Sequence, residues 1–443
     1  MKFAPLFRAT ALVSAVALIP ATTAGLAAVD GRSGPEFGKL FAIYQLVKEN
    51  YVDDVDDDKL LRGAIDGMLA SLDPHSSYLD GASLERLETM IDGNYTGLGL
   101  SVIMEDGAVK IISPFKGSPA DKAGLKAGDF ITHLDGVLYF DRDLDEAVSK
   151  MRGPAGTTIR LTVFRPGRDE PFDVTVTRGV IELEPVTHEV KDNVGIISVN
   201  EFSRDVGRDV NEAISSIKTQ VGDGLAGIVL DLRSNPGGSL DEAVALSDLF
   251  LEKGDIVSQR GRLSSENLVY RAHKGDVAGG LPIVVLIDAG SASASEIVAG
   301  ALQDQKRAVV MGERSFGKGS VQSLIGLDRS SAVKLTTARY YTPSGHSVQE
   351  GGIEPDIKVP QLSDPNAQAR AERAVRESDL RGHLINEISL DDKKLEEDKK
   401  EDPRFAMTAD ELKKQGIEDF QLHYAVQTLK RTASGPALAA RKR

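Results

Sequence analysis

The 443-residue chain contains no cysteine. That absence excludes disulfides, a thiol nucleophile, a lipidated cysteine at a cleavage site and cysteine-based zinc centres. Positive charge is in deficit too, since 53 Lys and Arg face 67 Asp and Glu for a formal net charge of −14. A field of that sign repels phosphate, so nucleic acid is excluded as a partner. A membrane-spanning run is also missing at the N-terminus, where the apolar stretch Ala9 to Ile19 ends at Pro20 and falls short of the ~20 residues a spanning helix needs. Lys2 and Arg8 precede that stretch, and small residues continue to Ala28 with cleavage positions near Ala24 or Ala27. Residues 1–28 therefore read as a secretory signal peptide. Its removal takes away two positive charges and makes the remainder more acidic. An exported chain without cysteine suits a bacterial periplasm or cell envelope. What remains has an ordinary globular composition and is long enough for two to four domains.

The most informative stretch runs from Leu281 to Gln322. Ile283 to Ile287 is an unbroken apolar run rich in β-branched residues, the pattern of a strand buried on both faces. Asp288, Ala289 and Gly290 break it, and from Ser295 onward Ile297, Val298, Ala301 and Leu302 fall at helical spacing. Ser291, Ser293 and Ser295 thus sit at a strand-to-helix corner, which projects a hydroxyl from rigid backbone beside an amide able to stabilise an oxyanion. Taken alone, such serines would only turn the chain and cap a helix. Val309 and Val310 then close a short strand, and Gly312 to Gly319 forms a glycine-rich loop with one lysine, Lys318. By itself a lysine between two glycines reads as a surface charge.

Together GSASASE and FGKGSVQ resemble the motifs of the carboxyl-terminal processing peptidases, the tail-specific serine proteases. The resemblance places the nucleophile on Ser293, a lysine base on Lys318 and the glutamine that orients it on Gln322. Spacing alone does not choose Ser293 over its neighbours. The pairing is chemically sound, since a lysine whose pKa is lowered by burial can take a serine proton. The resemblance implies a crotonase/ClpP-like α/β core within an α/β plus α+β chain, and a catalyst that needs no metal or other cofactor.

Before the core, helical spacing predicts helices over 36–51 and 59–72, ended by the turn Asp73-Pro-His-Ser-Ser-Tyr78. His75 in that turn reads as structural. From 93 to about 178 the chain changes to short strands and glycine turns. Gly97-Leu98-Gly99-Leu100 and GSPADKAGLKAGD (117–129) resemble a PDZ domain, with the first as its carboxylate-binding loop. Successive amides in a glycine turn form an anion nest, and a peptide can add beside the next strand.

Residues 182–190 read as a linker. Val194 to Val199, Val210 to Thr219 and Ala226 to Leu232 form a βαβ unit. It leads into Arg233-Ser-Asn-Pro-Gly-Gly238 at a strand's carboxyl end, where open α/β sheets bind ligands. The resemblance makes this loop one oxyanion donor, Gly237 or Gly238 with Gly238 favoured, and the Ala294 amide the other. Val333 to Tyr341 alternates as a strand, and His346 follows where the family usually has a basic residue. None of the seven histidines lies in a pattern resembling a histidine-dependent protease.

Past Pro360 the composition becomes charged. A helix is expected over 364–388, a solvated charge run over 391–402, an amphipathic helix over 417–429 and disorder over 434–443. The expected domains are a signal peptide (1–28), a helical region (36–92), an inserted PDZ-like domain (93–180), the protease core (181–360) and a helical tail (361–443). Expected partners are protein substrates with accessible C-termini; an activating adaptor and a homo-oligomer formed through the tail stay open. Two other functions compete. A P-loop NTPase would use Gly312 to Lys318 but needs Ser or Thr where Gly319 stands, followed by a helix. An inactive peptide-binding scaffold would need neither Ser293 nor Lys318.

Overall fold

The computed structural model describes residues 34–434 apart from 106, 141–143, 169, 183, 329, 365–374, 388–404 and 406. The expected signal peptide, the charge run and the last nine residues lie outside the described residues. The chain divides into two compact units, one of residues 85–185 and one combining the remainder on either side. Mixed α/β structure fills both, and the N-terminal region is helical over Gly34–Asn50 and Asp57–Ala70.

The larger unit is built on a six-stranded sheet. Its order is Val186–Lys191, Val194–Val199, Gly227–Asp231, Ile283–Ile287, Val309–Gly312 and Ile357–Lys358. All neighbours after the first pair run parallel. The unbroken apolar run of Ile283–Ile287 has a direct cause in the two layers that cover it. Ile283, Val285 and Ile287 pack against the helices Val206–Val221, Leu240–Asp248 and Ala294–Asp304, while Val284 and Leu286 pack against the helix Phe420–Ser434. Side chains alternate faces along a strand, so both faces must be apolar. Each fully buried Val, Leu or Ile there contributes roughly 1.5–3 kcal/mol. The apolar residues of the closing helix, among them Ala425, Val426 and Leu429, are thus used on the chain's own sheet.

A second, antiparallel sheet joins Ser77–Leu79, Ala332–Tyr341, Asp255–Gly261 and Leu268–Arg271, with Ser320–Gly326 also paired to Ala332–Tyr341. Two expectations are corrected. The span 182–190 is not merely a linker, because Val186–Lys191 pairs with Val194–Val199 in a hairpin. Its turn residues Asp192 and Asn193 both have positive φ, the conformation of the tightest two-residue hairpins. The described part of 364–388, Asp364 and residues 375–387, has no α-helix and holds only the short 3₁₀ turn Glu377–Asp379. The side chains of Glu377, His383 and Asn386 bond outward to the core.

The smaller unit is a five-stranded antiparallel path of Leu100–Glu105, Ala108–Pro114, Phe130–Leu134, Thr158–Phe164 and Phe172–Thr177, with Leu144–Met151 as its longer helix. Val109, Ile111, Ile131, Leu161 and Val163 fill its core. Leu100–Glu105 is an edge strand.

Candidate active site

Three adjacent parallel strands, Gly227–Asp231, Ile283–Ile287 and Val309–Gly312, end at the same edge of the sheet. Parallel order therefore delivers three loops to one place: 232–239, 288–293 and 313–319.

The serine corner is the most constrained. Ser293 has φ 53° and ψ −111° just before the helix Ala294–Asp304. Such backbone costs about 1–3 kcal/mol in a non-glycine residue and persists only when its surroundings hold it. They do so through the Asn235 loop. Asn235 accepts the Ala292 N–H at 3.0 Å and the Ser295 hydroxyl at 2.9 Å on its carbonyl, and donates its side-chain amide to the Val199 carbonyl at 2.7 Å. Gly237 lies so close that a Cβ there would stand 2.8 Å from Ser293 Cβ.

The three serines, equivalent by spacing, are unlike in space. Ser291 Oγ donates to the Leu232 carbonyl at 2.8 Å, and Ser295 Oγ to Asn235. Both are fully buried and bonded to backbone, whereas Ser293 is partly exposed. The amides differ likewise. Gly237 N–H donates to Asn235 Oδ1 at 2.9 Å. Among the described residues no acceptor takes the N–H of Gly238, which is exposed, or that of Ala294 at the helix start.

The lysine loop has no regular structure of its own. Its glycines serve close approach: a Cβ on Gly317 would meet the Glu350 carbonyl oxygen at 2.8 Å, and one on Gly319 the Gln349 nitrogen at 2.6 Å. Lys318 is consequently half-buried rather than a fully exposed surface charge. Burial pushes its amine below the ordinary lysine value, Lys334 adds to that effect, and Glu377, Glu296 and Asp73 oppose it.

Glu296 joins corner and loop. Fully buried, it accepts the Ser293 N–H at 2.8 Å and the Lys318 N–H at 3.0 Å on the same oxygen, Oε2. Its Oε1 takes the Ser315 hydroxyl at 2.6 Å and the Gly317 N–H at 2.7 Å. Burial pushes its pKa up to about 7, and these four donors oppose the rise. Tyr340 is a second link. Its buried hydroxyl donates to the Lys318 carbonyl and also engages the Ser293 side chain. Sequence reasoning singled out neither residue for the site. A glutamate three residues after a corner serine reads as a helix cap, and a tyrosine in an alternating strand reads as core.

Gln322 stands on the strand Ser320–Gly326, with its Nε2 donating to Ser320 Oγ at 3.0 Å and Thr336 Oγ1 at 3.2 Å. Among the described residues, Lys318 Nζ is hydrogen-bonded to neither Ser293 nor Gln322. His346 is exposed, on a turn where its carbonyl accepts the Thr342 N–H. In the smaller unit Gly97 ends a strand, Leu98 is buried, Gly99 has φ 75° with its carbonyl bonded to the Phe115 N–H, and Leu100 begins the edge strand.

The chain matches the model of peptidase family S41 over residues 193–359, a PDZ domain model over 111–165 and the activating protease CtpB N-terminal domain over 20–83. It is 47% identical over 343 residues to a carboxy-terminal-processing protease of Bartonella bacilliformis, covering 77% of this chain and 79% of that protein. To the Bacillus subtilis carboxy-terminal processing protease CtpA it is 38% identical over 326 residues, covering 73% of this chain and 69% of the other. A solved photosystem II D1 C-terminal processing protease is 30% identical, covering 74% of this chain and 87% of that chain at a TM-score of 0.45.

Proposed function

Because the chain belongs to the carboxy-terminal processing proteases of peptidase family S41 and carries a PDZ domain, we propose that it is an exported endopeptidase with a Ser-Lys dyad. It takes the C-termini of envelope proteins on its PDZ domain and cuts near them through an acyl-enzyme. Ser293 Oγ attacks the scissile carbonyl and passes its proton to neutral Lys318. The N–H groups of Gly238 and Ala294 receive the oxyanion. The resulting ammonium protonates the leaving amine, and water then releases the acyl group.

The observation that carries this reading is the tether between a half-buried lysine and a serine that stays partly exposed while Ser291 and Ser295 are buried on backbone carbonyls. Gln322 fits as the orienting residue, because its amide nitrogen is already engaged and its oxygen is the atom left for an amine. Substrate capture uses the turn Gly97 to Leu100 beside the open edge strand. Two faces of helices around the parallel sheet support a crotonase/ClpP-like core. Export rests on residues 1–28, and among the described residues no helix is long and apolar enough to cross a membrane. Nucleotide chemistry is disfavoured, since a strand rather than a helix follows Lys318.

Cleavage of a tailed peptide by single variants tests the dyad. Ser293→Ala and Lys318→Arg are expected to lose about 10⁴-fold or more in kcat, because guanidinium cannot act as a base. Ser291→Ala and Ser295→Ala keep most of it. An active Lys318→Arg enzyme ends the Ser-Lys reading.

A further inference from the structure

The chain beyond Pro360 returns to the lysine loop. Glu377 lies in the short turn Glu377–Asp379, and its side chain is fully buried. Its backbone N–H donates to the Phe316 carbonyl at 3.3 Å, two residues before Lys318. Its carboxylate takes His75 Nε2 at 2.8 Å on Oε2 and Gln349 Nε2 at 3.0 Å on Oε1. Gln349 Oε1 in turn accepts the Gly319 N–H at 3.0 Å, just after Lys318. One residue therefore clasps the loop on both sides of the lysine, directly at 316 and through Gln349 at 319.

The clasp continues into a circuit. His75 N–H donates to Asp73 Oδ1 at 2.8 Å, Thr336 Oγ1 donates to the same oxygen at 3.1 Å, and Gln322 Nε2 donates to Thr336 Oγ1 at 3.2 Å. Its members come from the N-terminal turn, three parts of the core and the tail. A buried carboxylate costs far too much unless it does something or is fully satisfied. Here it is satisfied by groups whose common neighbour is the loop that presents Lys318.

We propose that Glu377 is a positioning residue for Lys318, held by His75, so that the segment 375–387 completes the active site. The inference rests on the Ser-Lys reading. It assigns a role to His75 beyond packing the turn in which it lies. Further bonds seat the same segment, from Asn386 Nδ2 to the Gln349 carbonyl at 2.7 Å and from His383 Nε2 to Glu350 Oε1 at 2.8 Å.

Charge makes the proposal separable from mere packing. The groups acting on the Lys318 amine are Lys334, which favours its neutral form, and Glu377, Glu296 and Asp73, which favour the ammonium. Replacing Glu377 by a neutral isostere removes one of the three anions. The lysine then loses its proton at lower pH, and the rising limb of activity moves down while a loosened loop lowers the plateau.

The experiment compares full-length wild type, Glu377→Gln, Glu377→Ala and His75→Gln, with Ser293→Ala and Lys318→Arg as controls. It measures kcat and KM for a tailed peptide across pH, and thermal melting of each variant. For Glu377→Gln we expect kcat down about tenfold with KM little changed, since loosened geometry lowers kcat, and the limb displaced to lower pH. His75→Gln follows in kcat to a smaller degree. A Glu377→Gln enzyme with wild-type kcat and an unmoved limb overturns the proposal, whatever its melting temperature. If Glu377→Ala fails to fold, the Gln variant decides. Active Ser293→Ala or Lys318→Arg controls would instead sink the dyad itself, so the two failures are distinguishable.

Discussion

The serine corner and the lysine loop face each other across Glu296, yet they are held in place by different means. Ser293 sits between a buried strand and a helix, and the Asn235 loop clamps its strained backbone there. Lys318 sits in a stretch with no helix or strand of its own, and everything that fixes it comes from afar: Glu296, Tyr340, Gln349 and Glu377. A nucleophile needs a direction, which a strained strand-to-helix corner supplies once one neighbouring loop clamps it. A lysine base needs a dry environment, and dryness requires several distant segments to converge.

Short of removing a reacting group, cutting the link between the two regions should have the largest effect. Glu296→Gln places an amide nitrogen among four donors, so one pair must break, and kcat is expected to fall about a hundredfold as the reacting groups shift. The variant copies the protonated acid in charge, so raising the pH to 9 should not restore it, which a pH–rate profile checks. Stability carries the opposite signature. The folded pKa of about 7 lies above the unfolded carboxylate value near 4.5, so the native state binds the extra proton, and unfolding free energy from this group falls as pH rises between those values. Denaturant titrations should find that slope in the wild type and not in Glu296→Gln.

Tyr340→Phe sharpens the comparison at lower cost. It leaves the lysine loop's carbonyl without its hydroxyl donor, a loss on the order of 1–3 kcal/mol, and is expected to reduce kcat about tenfold while Ser293 stays reactive. Labelling Ser293 with a serine-directed fluorophosphonate, measured beside peptide cleavage, would separate a disturbed base from a disturbed nucleophile. Equal loss of labelling and cleavage would put Tyr340 on the serine's side instead.

The smallest effect lies away from both regions. If the turn Gly97 to Leu100 reads a free carboxylate, amidating the C-terminus of a test peptide should raise KM several-fold, in keeping with one or two charge-assisted hydrogen bonds, and leave kcat alone. Unchanged KM would mean that the PDZ domain does not select substrates by their termini.

The local sequence by itself determined the elements around the site. The apolar run 283–287, the corner after it, the helix behind Ser293 and the glycine loop at 312–319 were all legible, because strand and helix patterns are short-range properties of side-chain spacing. The family motifs pointed to Ser293, Lys318 and Gln322. Sequence did not reveal why Ser293 differs from Ser291 and Ser295, because that depends on the carbonyls of Leu232 and Asn235, about sixty residues away. Nor did it reveal that the tail returns to the lysine loop at Glu377. Only the tertiary structure decided that Lys318 is half-buried and that Glu296 ties it to the serine, since burial and hydrogen-bond partners arise when distant segments meet and leave no periodic trace in the chain.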